Sequence, residues 1–222
     1  MRPIELDLDL ATADLDGLAS NIDSSGTALT FDGDLISGGT FTSSDGLGRI
    51  IVIVDSDTDT QSDVTFTIVG TDPNGDAISD VVTGPGSGAT VASAKYFKTV
   101  SSVTVSAAQG GTEKVDIGTR GTTLSAASRA VPLDWRCPVA ATVDVDVTGT
   151  LNFTVQQTFD DLLASTNASG NIVWTDVTAL ASKTADTTAS LTVGARGMRV
   201  IINTYSTGAE LQAVVIQPGM YD

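Results

Sequence analysis

Four apolar residues, Ile4, Leu6, Leu8 and Leu10, alternate with Glu5, Asp7 and Asp9 at the start of the chain. In an extended backbone successive side chains point to opposite faces, so this stretch puts its aliphatic groups on one side and its carboxylates on the other. Similar short runs recur in RIIVIVD, VTFTIVG, ISDVVTG, SSVTVSA, ATVDVDVTG, LNFTVQQTF, IVWTDVTAL, ASLTVGA, MRVIINTY and LQAVVIQ. All are rich in Val, Ile, Thr and aromatics, the residues that suit a pleated and half-buried surface. Runs of strand length at such intervals predict an all-β chain of antiparallel sandwich or jelly-roll-like units. Helix is limited to a turn or two, at DLDGLAS and at DDLLAST.

The connections carry turn chemistry. In DPNGD, Asp72 to Asp76, proline supplies a fixed φ and Asn-Gly a positive one, so VTFTIVG and AISDVVTG should pair as a hairpin around it. GPGSG, Gly84 to Gly88, is a second break. Small polar residues in TTLSAASRAVPLDWRCP give way to Pro132 and Pro138, which bracket Trp135, and the strand pattern then resumes. This shift predicts one β unit over residues 1–130 and a second over 131–222, the alternative being a long loop inside a single large sandwich. No tandem repeat of a solenoid or propeller is visible.

Composition narrows the chemistry. Asp and Glu outnumber Lys and Arg by 27 to 11, a formal charge of -16 that repels a phosphate backbone, so nucleic acid is not expected as a partner. No apolar stretch is long enough to span a bilayer, and MRPIELDLDL has carboxylates where a secretory signal needs an apolar core. A soluble protein made in a cytoplasm, with no membrane partner, is therefore expected. The single cysteine, Cys137, precludes an intrachain disulfide and reads as a small buried apolar group. With no histidine in the chain, imidazole acid-base chemistry and histidine-activated nucleophiles are unavailable. Carboxylates, lysines and tyrosines remain, and neither an enzymatic activity nor a cofactor is expected.

The run DSDTDTQSD, Asp55 to Asp63, raises the question of calcium. An EF-hand loop needs glycine at its sixth position and a bidentate glutamate at its twelfth, where this chain has Thr60 and Phe66. A looser site drawing on Asp55, Asp57, Asp59 and Asp63 is the metal-binding reading, and an acidic hairpin connection is the other. Asp160 and Asp161 are an adjacent carboxylate pair. Glycosidases hold two carboxyls about 5 to 10 Å apart across a bond, whereas these two precede a short apolar turn that one of them should cap while the other faces solvent.

Lys95 and Lys98 flank Tyr96 and Phe97, and alternation along a strand would divide the two aromatics between opposite faces. The lysines are candidates for contact with an acidic neighbouring subunit. Arg129, Trp135 and Arg136 near the predicted boundary, with Arg196 and Arg199 in GARGMRV, are candidate interface residues, because arginine and tryptophan are over-represented among interface anchors. The glycosylation matches at Asn152 and Asn167 mean little without a signal sequence.

From Gly48 to Gly111 the chain shows a strand, the hairpin GTDPNGD, the segment VTGPG, then YFKTVSSVTV and a small-residue tail. In this order it resembles structural proteins of tailed bacteriophages. VTGTLNFTVQQTFDDLLA followed by Trp174 resembles a T-V-Q-x-T-F-D-D segment and downstream tryptophan of similar phage proteins. The resemblance implies a virion component, a capsid decoration or cement protein whose partner is the major capsid protein or another virion protein. A neck, tail or fibre adaptor is the alternative. The exposed strand edges of such a chain are met by its own copies, as a homotrimer or another closed ring. A carbohydrate-binding β module would call for aromatic platforms, and the two Trp and three Tyr are scattered.

Overall fold

The structure, a computed structural model, describes residues 3–24, 28–57, 59–108, 113–120, 123, 125–134, 141–164 and 172–217. Among them the chain is all-β, with strands making up 53%. The early strands are β1 (Ile4–Asp9), β2 (Ala19–Asp23), β3 (Ile36–Ser37), β4 (Thr40–Thr42), β5 (Gly48–Asp55) and β6 (Thr65–Thr71). They continue with β7 (Ala77–Thr83), β8 (Thr90–Phe97), β9 (Thr99–Val105), β10 (Lys114–Thr119), β11 (Ala126–Ala127) and β12 (Val131–Pro132). The last six are β13 (Thr142–Thr148), β14 (Leu151–Thr158), β15 (Thr175–Asp176), β16 (Thr187–Ser190), β17 (Gly197–Tyr205) and β18 (Glu210–Ile216). The ladders β1–β18, β2–β10, β10–β5, β5–β8, β3–β4, β4–β9, β9–β6, β6–β7, β13–β16, β13–β18, β14–β15 and β14–β17, with β11 and β12 on β17, are antiparallel. No helix among the described residues is long and apolar enough to cross a membrane.

The chain divides into two compact units, but not at residue 130. One is continuous, Ala13–Gly121; the other is discontinuous, Met1–Thr12 with Thr122–Asp222. The correction comes from β1, which pairs along its length with β18, Leu6 opposite Ala213 and Leu8 opposite Leu211. Alternation in IELDLD does bury Leu6 and Leu8 and expose the acids, but the strand that completes its ladder lies at the far end of the sequence.

In the continuous unit one sheet runs β2-β10-β5-β8 and the other β3-β4-β9-β6-β7. Ile51, Ile53, Val115 and Ile117 from the first share a core with Phe41, Phe66, Ile68, Val100 and Val103 from the second. The predicted β6–β7 hairpin forms: Asp72 N–H donates to the Asp76 carbonyl (2.9 Å), Asp72 Oδ1 accepts from Asn74 and Asp76 N–H, and Gly75 has φ 94°. YFKTVSSVTV is not one strand. It breaks at Lys98, where the chain leaves the β5 sheet and enters the β6 sheet as β9.

The discontinuous unit holds a β1-β18-β13-β16 sheet and a second sheet in which β14 lies between β15 and β17, with β11 and β12 along the other edge of β17. Leu6, Leu8, Val143, Val145, Leu211 and Val215 of the first and Phe153, Val155, Val200 and Ile202 of the second are buried. Two strand expectations fail in this unit. IVWTDVTAL yields only the two-residue β15 followed by a 3-10 turn at Thr178–Leu180, and the strand near ASLTVGA lies slightly earlier, at β16.

Candidate functional site

Strand β14 carries a polar row that links it to both neighbouring strands. Its register sets Gln156 opposite Arg199 on β17 and opposite Asp176 on β15. Alternation buries Val155 and Gln157 and leaves Gln156 on the outer face. Arg199 Nε donates to Gln156 Oε1 (2.8 Å), and Gln156 Nε2 donates to Asp176 Oδ1 (2.8 Å), so one row of side chains crosses three strands. The guanidinium carbon of Arg199 lies 4.4 Å from the Trp174 ring centroid. The arginine is thus held by a hydrogen bond at its edge and an aromatic ring against its face, an arrangement that fixes a long side chain before any partner arrives.

At the end of β14 the chain turns through Phe159, Asp160 and Asp161. Asp160 Oδ2 accepts Val173 N–H (2.6 Å), Asp161 Oδ1 accepts Leu163 N–H (3.0 Å), and Arg196 lies 3.9 Å from the Asp161 carboxylate. Leu162 packs on Gly197, where a β-carbon would come within 2.4 Å of it. Phe159 precedes this acid pair, Leu163 and Val173 are the residues whose N–H groups it accepts, and the three side chains are 51%, 88% and 70% exposed. Exposed large apolar side chains on a turn that is linked to Arg196 and leads into the Arg199–Trp174 pair have the composition of a protein-binding patch.

The acid pair therefore braces a turn. Asp161 takes the capping role expected of one of the pair, with no helix in the described residues up to Ala164; the other acid, Asp160, ties residue 173 to the end of β14. Trp135 and Arg136, like Cys137, lie outside the described residues. Arg129 is exposed. Arg196 and Arg199 both adjoin the patch. Trp174, Phe159, Leu163 and Val173 are not among the interface residues expected from sequence; Trp174 is marked there only as the tryptophan downstream of FTVQQTFDD.

In the continuous unit Lys95 and Lys98 are separated by the strand break, so they do not share the single strand expected of them. Lys95 Nζ donates to the Ser79 carbonyl (2.9 Å), while Asp80 Oδ2 accepts the N–H groups of Ala94 and Lys95. These bonds tie β8 to the edge strand β7. Lys98 lies at the corner, its N–H donating to the Thr71 carbonyl.

The acidic run joins β5 of one sheet to β6 of the other, so it is a crossing between sheets and not a hairpin connection. Its four aspartates do not converge. Asp55 is buried, Asp59 and Asp63 are exposed, and no group of three acidic, histidine or cysteine side chains among the described residues is placed to hold a metal ion. Asp57 Oδ1 accepts Asp59 N–H (2.8 Å) and Asp57 Oδ2 accepts Lys114 N–H (2.7 Å). The Asp59 N–H is the main reason the Asp57 carboxyl is held below its usual range.

No family model matches the chain, and no curated protein matches it. Among solved structures, a chain from the atomic structure of Sulfolobus turreted icosahedral virus aligns over 95% of this chain at 12% identity, with a TM-score of 0.20. The alignment spans 58% of that chain's length.

Proposed function

We propose that the chain is a structural component of a tailed-phage virion, and within that class a capsid decoration protein that grips assembled shell subunits. One observation carries the reading. The stretch FTVQQTFDD and the downstream Trp174, which resemble phage structural proteins, supply Gln156, Phe159, Asp160, Asp161 and Trp174, the framework of the exposed patch.

Mechanistically, Phe159, Leu163 and Val173 offer apolar area to a shell subunit, and Arg199, already oriented by Gln156 and Trp174, loses little freedom on docking. Each contact is small. Many identical copies on a closed shell, or several within one oligomer, make modest pairwise contacts avid. An acidic surface elsewhere keeps free copies apart until a shell is present.

Counting copies of the chain in purified particles tests the assignment. A shell decoration gives on the order of hundreds of copies, and a neck or tail adaptor about a dozen, following icosahedral against cyclic symmetry. Absence from particles rules out both roles.

A further inference from the structure

Four buried side-chain oxygens among the described residues have no hydrogen-bond partner: Asp55 Oδ1, Ser56 Oγ, Gln61 Oε1 and Glu113 Oε2. All four lie at one end of the β5–β10 pair in the continuous unit. Asp55 stands opposite Val115 in the ladder. Ser56 N–H and Gln61 Nε2 both donate to the Lys114 carbonyl, each at 3.2 Å, and Lys114 N–H donates to Asp57 Oδ2 at 2.7 Å. The peptide of Lys114 thus gathers the Gln61 amide and the Asp57 carboxylate, with Glu113 adjoining it in sequence.

Asp55 ends β5 two residues after core-facing Ile53, Gln61 follows in the crossing, and Glu113 immediately precedes β10. The Ser56 hydroxyl carries a hydrogen of its own, which leaves Asp55 Oδ1, Gln61 Oε1 and Glu113 Oε2 as acceptors only. None of them has a hydrogen to give in its usual ionisation state, so they cannot satisfy one another. Gln61 is fully buried, at 0% exposure, and Asp55 is 7% exposed. Acceptors gathered out of water without a donor call for a positive charge among them.

We propose that this end of the continuous unit binds a calcium ion through Asp55, Gln61 and Glu113, with water completing the coordination. Calcium accepts mixed sets of carboxylate and amide oxygens in flexible geometry, which suits one amide and two carboxylates better than an all-carboxylate cage. The Asp57 carboxyl lies against that of Asp55 and adds negative charge nearby. The ion would also lock two connections. Gln61 N–H donates to the Pro85 carbonyl (2.8 Å), and Gly88 N–H donates to Asp55 Oδ2 (2.5 Å), so the β5–β6 crossing and the β7–β8 link meet at the same residues.

Calorimetric titration of the full chain with calcium chloride, and thermal melting in calcium against chelator, test this without any virion partner. Binding is expected, with a rise in melting temperature of roughly 5 °C or more when calcium exceeds its dissociation constant about a hundredfold. Glu113→Gln, nearly isosteric, should weaken calcium about tenfold or more, as should Asp55→Asn if it folds, while Asp59→Ala and Asp63→Ala leave the affinity unchanged. No heat and no shift with the unaltered chain would mean that water meets these oxygens, and the proposal fails. It fails equally if Glu113→Gln binds calcium like the parent, or if only the Asp59 and Asp63 variants lose it.

Discussion

The guanidinium of Arg199 stacks on Trp174 at 4.4 Å while its Nε donates to Gln156. At a half-buried position such stacking contributes about 0.5–1 kcal/mol and the hydrogen bond a similar amount. Trp174→Ala should therefore lower the stability of the discontinuous unit by about 1–2 kcal/mol in urea titrations, with Arg199→Lys at the lower end. If the pair anchors a shell contact, attachment to particles should fall more than tenfold in either variant, the range of interface hot spots. Attachment that merely follows stability would reduce the pair to a scaffold element.

Leu163, 88% exposed, gives a cleaner separation of the two roles. Leu163→Asp removes little buried surface, so stability should stay within about 0.5 kcal/mol of the parent. Co-sedimentation with assembled shells should nonetheless weaken, and Phe159→Ser should behave likewise. Undiminished sedimentation of both variants would place the contact elsewhere on the chain.

In the continuous unit Arg49 pairs with Asp45, the side chains being 3% and 1% exposed. Asp45 also accepts Leu47 N–H (3.0 Å) and the Ser43 hydroxyl. Removing either charge takes the ion pair from a group held away from water, so Arg49→Ala and Asp45→Ala should each cost about 3–5 kcal/mol. The double variant should cost well short of their sum, because the second substitution removes the charge that had lost its counter-ion. Chemical denaturation of the three variants measures the coupling directly.

The strands were largely legible because period two is a local property: IELDLD, GRIIVIVD and LNFTVQQT became β1, β5 and β14. Pairing partners were not. Nothing within IELDLD specifies β18, more than two hundred residues later, and so the expected boundary missed the discontinuous unit. DPNGD succeeded as a hairpin because turn and strands are contiguous. The acidic run is marked by its aspartates, yet two of the buried acceptors are Gln61, the one amide within that run, and Glu113, brought in from just ahead of β10 far along the chain. Charge pattern marks where acids occur in sequence; burial depends on which distant strand closes over them.

Gly70 illustrates a constraint that the strand pattern hid. The ladder between β6 and β9 shifts register between Val69 and Gly70, and a β-carbon on Gly70 would lie 1.8 Å from the Thr99 carbonyl oxygen. A backbone atom cannot swing aside as a side chain could. Gly70→Ala should therefore destabilise the continuous unit by about 3 kcal/mol or more. Gly86→Ala, where nothing lies within 4 Å, should change stability by no more than about 0.5 kcal/mol. Equal melting temperatures for the two variants would remove the steric argument.

Asp57 sets a pH dependence whose direction follows from its donors. The N–H of Asp59, and after it that of Lys114, bond to the ionised carboxylate and hold its pKa below the ordinary 3.8. A carboxyl depressed by folding contributes stability that is present above its unfolded value and is lost as pH falls through its folded value. Asn at this position would turn one oxygen into an NH₂ group facing an N–H donor, so Asp57→Asn should be less stable than the parent at pH 7. That gap should narrow as pH falls below about 3.8, where the parent also loses its charge. Asp14 works in the opposite sense, its carboxyl raised chiefly through a side-chain hydrogen bond with Asp16. Because Asp14 is common to both proteins, it cancels in the difference between their urea midpoints from pH 7 to pH 2.5. A gap that stays constant across that range would show that the two N–H donors do not favour the charged form of Asp57.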